Sequence, residues 1–168
     1  MTSIASVILM AFPVAMAFAA ANDLFTMKIP NRIPLVLFGS FVVVALLTRM
    51  PLDVFGTNLA LGLAVLAATF ALFALNLLGG GDAKLIAAGA AWIGPDHMID
   101  YLGFITIYGG LLSLAFLAYR RMPATVLPLP AWAVRLHTAK GPIPYGIAIA
   151  AGALAVFPKT ELFLSLMS

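Results

Sequence analysis

The sequence predicts an all-α integral membrane protein, a bundle of about six transmembrane helices with the N-terminus outside. Three observations predict it. First, 64% of the 168 residues are hydrophobic and only 9% are charged, with a mean hydropathy of +1.12, against roughly 45–50% apolar and ~25% charged in a soluble domain. Second, charge-free intervals recur at 1–22, 33–48, 54–81, 85–95, 101–119 and 141–158, and a span needs about 20 apolar residues with few ionised groups. Third, six crossings sort the cations by side. Lys28, Arg32, Lys84, Arg120, Arg121, Arg135 and Lys140 fall inside and only Arg49 and Lys159 outside, seven against two.

The interval 85–95, "LIAAGAAWIGP", is the weakest span, because at 1.5 Å per residue it covers only ~16 Å, about half the hydrocarbon thickness. Omitting it reverses everything that follows and leaves four cations inside against five outside. The positive-inside bias therefore favours keeping it. Charges never collect into a polar module, so residues 1–168 are expected to form a single membrane-embedded domain.

In chain order, "MTSIASVILMAFPVAMAFAAAND" opens with an apolar run before small residues, which can also be read as a signal peptide. Such a peptide carries its basic residues ahead of the apolar run. Here Lys28 and Arg32 follow it, as expected of a retained helix. Between Arg121 and Arg135, Pro123, Pro128 and Pro130 remove backbone donors and exclude a span. That stretch, with Trp132, reads as an interfacial cytoplasmic loop, either a passive one or a cover over a site. Small-residue runs such as "AAGAAWIG" and "GIAIAAGALA" suit close helix packing.

Composition also excludes function classes. The net charge of +3 comes from nine basic residues that never cluster with aromatics, so no nucleic-acid groove is expected. The absence of cysteine rules out disulfides, thiolate catalysis and cysteine-zinc sites. His97 and His137 stand in loops without metal-ligand spacing, so neither a metal nor another cofactor is expected.

Of the six acids, Asp53, Asp96, Asp100 and Glu161 read as solvated loop charges. Asp23 and Asp82 differ, because both fall at the cytoplasmic mouth of the bundle, and ionisable residues near the membrane usually mark function. Asp82 also fits as an ordinary N-cap of the fourth helix, but a cap does not need the preceding Gly79, Gly80 and Gly81. Those glycines let the backbone bend and let another chain approach closely. Asp23 is followed by Ile29, Pro30 and Asn31, a helix-breaking turn that holds the end of the first helix in place. Two carboxylates across a partly desolvated rim cannot both ionise easily, so they share a proton, which is the chemistry of an aspartyl protease. A small ion- or proton-coupled transporter using the same two acids is the alternative, disfavoured because 33–48, 85–95 and 141–158 hold no ionisable residue to line a path.

At these residues the chain resembles the type IV prepilin peptidases, membrane-embedded GxGD aspartyl proteases. The resemblance rests on Asp23 with Ile29-Pro30-Asn31, on Gly79-Gly80-Gly81-Asp82-Ala83-Lys84 as GxGDxK, and on "GPIPYG" at Gly141 to Gly146. It implies a bacterial inner-membrane enzyme with catalytic Asp23 and Asp82 that cuts the basic leader from prepilins, after a glycine, at the cytoplasmic face. Its partners would be the prepilin substrate and membrane lipid; the oligomeric state is left open. Longer members carry a cysteine-rich zinc region and also methylate the new pilin terminus. With no cysteines, this chain looks more like the short peptidases of tight-adherence (Flp) pilus systems, without methyl transfer. Lys84 reads either as a partner of Asp82 or the substrate, or as a positive-inside anchor; Pro30 and Asn31 read as turn formers or substrate contacts. Tyr145 reads as a support of the site or an interfacial tyrosine.

Overall fold

The computed structural model describes residues 9–121, 131–137 and 141–167. The proline-bearing stretch 122–130, Lys140 and the Arg135 side chain lie outside the described residues, as does the segment before residue 9. Within them the elements are α1 (Ala11–Thr26), α2 (Arg32–Leu47), α3 (Leu52–Ala74), α4 (Gly80–Ile93), α5 (Met98–Arg121), α6 (Ala131–Leu136), α7 (Gly146–Val156), a 3₁₀ turn (Phe157–Lys159) and α8 (Glu161–Met167). Among the described residues there is no strand. The all-helical expectation holds, and α3 and α5 are long and apolar enough to cross a membrane. The other apolar helices, α1, α2 and α7 with its 3₁₀ extension, are shorter.

Large apolar side chains such as Leu35, Leu63, Phe70, Leu111 and Leu114 point outward, whereas water-soluble proteins keep such patches small. The short interval 85–95 falls at the centre of the bundle: in α4 every residue from Leu85 to Ile93 is buried. A helix that is apolar all round belongs inside its neighbours, which is why α4 does not need the length of a lipid-facing one.

In lipid there is no hydrophobic drive between helices, so small residues and close packing carry their association. Helices α3 and α4 run antiparallel, with Asn58 beside Gly94, Gly62 against Ala87 and Ala91, and Phe73 over Gly80. Thr69 Oγ1 donates to the Ala83 carbonyl at 3.2 Å within the same seam. Trp92, 1% exposed, donates Nε1–H to the Leu37 carbonyl of α2 at 2.7 Å, so its buried polar atom is satisfied. Its ring meets Phe12 at a tilt and Phe41 and Phe157 edge-on, joining α1, α2 and the 3₁₀ turn to α4. Helix α7 also runs antiparallel to α1, with Phe157 on Phe12 at 4.3 Å between ring centroids, and to α5, where Gly152 meets Ile105 and Gly109 meets Tyr145.

Three acids expected in loops instead occupy first helical turns: Asp53 in α3, Asp100 in α5 and Glu161 in α8. Negative charge there complements the helix macrodipole, so these acids help to start helices. Asp96 does lie in a turn.

The α3–α4 seam makes a prediction. A Cβ at Gly62 would already stand 3.2 Å from Ala91 Cβ and 3.3 Å from the Ala87 carbonyl oxygen, so Gly62→Leu overpacks the contact. The expected cost is about 1–3 kcal/mol, read as a lower Tm of the detergent-solubilised protein; an unchanged Tm refutes the seam.

Candidate active site

The first carboxylate is placed by the end of α1. Met27 ends the helix in the left-handed conformation (φ 56°), and its N–H donates to the Asp23 carbonyl at 2.8 Å. A Cβ makes that conformation unfavourable by about 1–2 kcal/mol, and neighbouring side chains hold it. Thr26 Oγ1 donates to the Asn22 carbonyl at 2.7 Å, and Asn22 Nδ2 reaches across the turn to the Lys28 carbonyl at 3.0 Å. The chain then runs through Lys28, Ile29 and Pro30 to Asn31, where α2 begins, the Ile33 N–H donating to the Pro30 carbonyl at 3.0 Å. This turn sends the Ile29 side chain back over the end of α1.

The second carboxylate sits in the first turn of α4. The N-cap is Gly79, in extended conformation, and Asp82 is three residues on, where its carboxylate accepts the Gly79 backbone N–H. That is the return half of a capping box, so Asp82 is not itself the N-cap. The three glycines are explained by what they touch. A Cβ at Gly79 would lie 2.7 Å from Asp82 Oδ2, one at Gly80 would lie 3.2 Å from the Phe73 ring, and one at Gly81 would lie 2.9 Å from Ile29 Cβ. None of the three has positive φ; they serve close approach, not a left-handed bend.

Helix register brings the two acids together. Antiparallel α1 and α4 meet where Phe12 packs on Trp92, ring centroids 5.2 Å apart, and again where the Met16 methyl approaches Gly89. Two turns further along each helix, seven residues from Met16 and seven from Gly89, stand Asp23 and Asp82. A heptad returns a side chain to nearly the same face, so the carboxylates face each other, and the charge of Asp23 acts on Asp82 through space. Asp23 is 7% exposed, and its Oδ2 accepts the Gly146 backbone N–H at 2.8 Å. Gly146 is the first residue of α7, so that N–H is one of the donors a helix start leaves unpaired. Two helix N-termini therefore converge on the acid pair, α7 on Asp23 and α4 on Asp82. Ile29 closes the cluster, touching both Gly81 and Gly146.

The profile of the type IV leader peptidase family matches residues 10–119. The chain belongs to this family. The matched stretch contains both aspartates, the Ile-Pro-Asn turn and the glycine-rich start of α4, whereas Gly146 lies beyond it. Comparison with curated proteins and with solved structures returns no match. The family is one of membrane peptidases whose substrates are prepilins.

Around the two acids of this leader peptidase family member, the other sequence-predicted residues fall into two groups. Lys84 and Asn31 meet each other: Lys84 Nζ donates to Asn31 Oδ1 at 2.9 Å, tying the start of α4 to the start of α2. Residues two apart on a helix lie ~200° apart around its axis, so Lys84 faces away from Asp82. Pro30 shapes the turn from the backbone. Tyr145 does not contact the acids; its ring lies on Gly109 and its hydroxyl is 3.3 Å from Ser113 Oγ, seating the start of α7 on α5. At the opposite end of the bundle His97 Nδ1 is 3.9 Å from Asp100 Oδ2. His137 stacks edge-on against Tyr119. Among the described residues no group of three acids and histidines is arranged to hold a metal ion.

Sequence reasoning quoted Gly146 within a motif without giving it a role at the site, and missed Asn22. The signal for Gly146 was the end of "GPIPYG", where two prolines stop and a helix starts; Asn22, beside an acid at a helix end, carried none.

A Cβ at Gly146 would lie 2.9 Å from both Cβ and Oδ2 of Asp23. Gly146→Ala should therefore displace the carboxylate and lower peptidase activity at least tenfold while Tm changes little. Wild-type turnover in that variant would show that the contact is dispensable.

Proposed function

We propose that this chain is a prepilin leader peptidase of the aspartyl type, with Asp23 and Asp82 as its catalytic pair. The observation that carries the reading is their convergence: two acids 59 positions apart in sequence face each other, each accepting a backbone N–H from a helix start.

In this mechanism the pair holds one proton between them. The ionised carboxylate takes a proton from a water molecule lying between the two, and the water oxygen bonds to the scissile carbonyl carbon. The protonated carboxyl donates a hydrogen bond to the carbonyl oxygen. Collapse of the tetrahedral intermediate breaks the C–N bond, and the nitrogen leaves with a proton from the pair. The products are a leader with a new carboxylate and a mature chain with a free amine. The roles are written for the pair, because its titration belongs to both members.

The enzyme works from a bacterial inner membrane with about six crossings and its N-terminus outside, cutting at the cytoplasmic face. Support for that orientation comes from the cations. Lys28, Arg32, Lys84, Arg120 and Arg121 lie at the end of the bundle that carries the acids, and Arg49 and Lys159 at the other, which is the positive-inside pattern. The substrate class is the prepilin of Flp-type pili, on the strength of the cysteine-free sequence and its likeness to the short peptidases.

Asp23→Asn and Asp82→Asn should each reduce processing of a co-expressed prepilin to about one-thousandth or less, with peptidase levels unchanged on an immunoblot. Full processing by either single variant rules out the pair.

A further inference from the structure

We propose that Arg120 is a positioning residue for Asp23: it clamps the carbonyls of the segment before α7 and so fixes the Gly146 N–H that Asp23 accepts. The inference rests on the peptidase reading for its kinetic test and on geometry alone for its structural test.

Arg120 stands in the last turn of α5, half-buried, with its guanidinium 5.7 Å from the Phe116 ring. Its Nε donates to the Leu136 carbonyl at 3.0 Å, and its Nη2 donates to the carbonyls of Gly141 at 2.9 Å and Pro142 at 3.1 Å. Leu136 is the last residue of α6, where carbonyls lack helical partners. Gly141 and Pro142 belong to the irregular segment that leads to Gly146.

That segment cannot hold itself by its own donors, because Pro142 and Pro144 have no N–H. What it offers is carbonyl oxygens, and arginine, with five donors in a fixed fork and no acceptor, is their complement. Three residues separate the clamped Pro142 from Gly146, and the segment is held again where the Tyr145 ring lies on Gly109. The chain is thus fixed at two points just before the N–H that meets Asp23 at 2.8 Å. A mere topological anchor would need only the charge, not three directed bonds.

Lysine separates the two roles, since it keeps the charge but has no planar fork. The test compares purified Arg120→Lys with Arg121→Lys, the same change one residue on at an exposed position, using prepilin cleavage and deuterium uptake. Arg120→Lys is expected to lower kcat about tenfold with KM within twofold of wild type, as for a group acting on the reacting carboxylate and not on substrate binding. Peptides covering residues 141–149 are expected to take up deuterium faster in Arg120→Lys and at the wild-type rate in Arg121→Lys, at equal Tm. A kcat equal in the two variants, or unchanged uptake in Arg120→Lys, overturns the clamp while leaving the peptidase reading in place. A wild-type protein that does not cleave prepilin sinks the peptidase reading instead, and the uptake comparison then decides the clamp.

Discussion

Two carboxylates held side by side in a low-dielectric bundle cannot both carry their charge without repulsion, and the chain must limit that cost before the pair can share a proton. It does so with backbone dipoles. Asp82 lies in the first turn of α4 and accepts the Gly79 N–H; Asp23 accepts the Gly146 N–H at the first residue of α7. Carboxylates at helix starts gain typically 0.3–1 kcal/mol each, and up to about 2 kcal/mol where partly buried. These donors are fixed by the fold, so they need no reorganisation when charge moves during a reaction. The glycines at 79, 81 and 146 follow from the same constraint, since a methyl group at any of them would occupy space taken by a carboxylate or by Ile29.

The bundle transmits this arrangement from its opposite end. Trp92, Phe12, Phe41 and Phe157 form an aromatic knot that fixes α1 and α4 in register, and Met16 meets Gly89 one step closer to the site. From there two regular turns of each helix carry the register to Asp23 and Asp82. Tyr101 is fully buried beside Gly89, and among the described residues its hydroxyl has no hydrogen-bond partner.

Much of this was legible in the sequence because it is local. The helical class followed from apolar intervals between sparse charges, and the two notable acids from their neighbours, three glycines in one case and an Ile-Pro-Asn turn in the other. Other features depend on tertiary contacts that no window of sequence contains. Residues 85–95 looked too short because length was judged against a lipid-facing helix, whereas α4 is enclosed by its neighbours. Asp53, Asp100 and Glu161 looked like loop charges because charge-free intervals mark where charges stop, not where helices start. The pairing of Asp23 with Gly146 spans 123 positions, and the partnership of Lys84 with Asn31 was hidden by the nearer Asp82. Arg120 read as one cation among several, since a count of charge says nothing about which carbonyls a guanidinium meets.

The great distance along the chain between Asp23 and the amide that holds it also bears on biosynthesis. Asp23 is among the earliest parts of the site to leave the ribosome and Gly146 among the last, so a nascent chain carries both acids before it owns the helix that orders them. Until α7 docks against α1 and α5, Asp23 lacks the Gly146 donor, so this corner of the bundle is completed only by one of the last helices to be made.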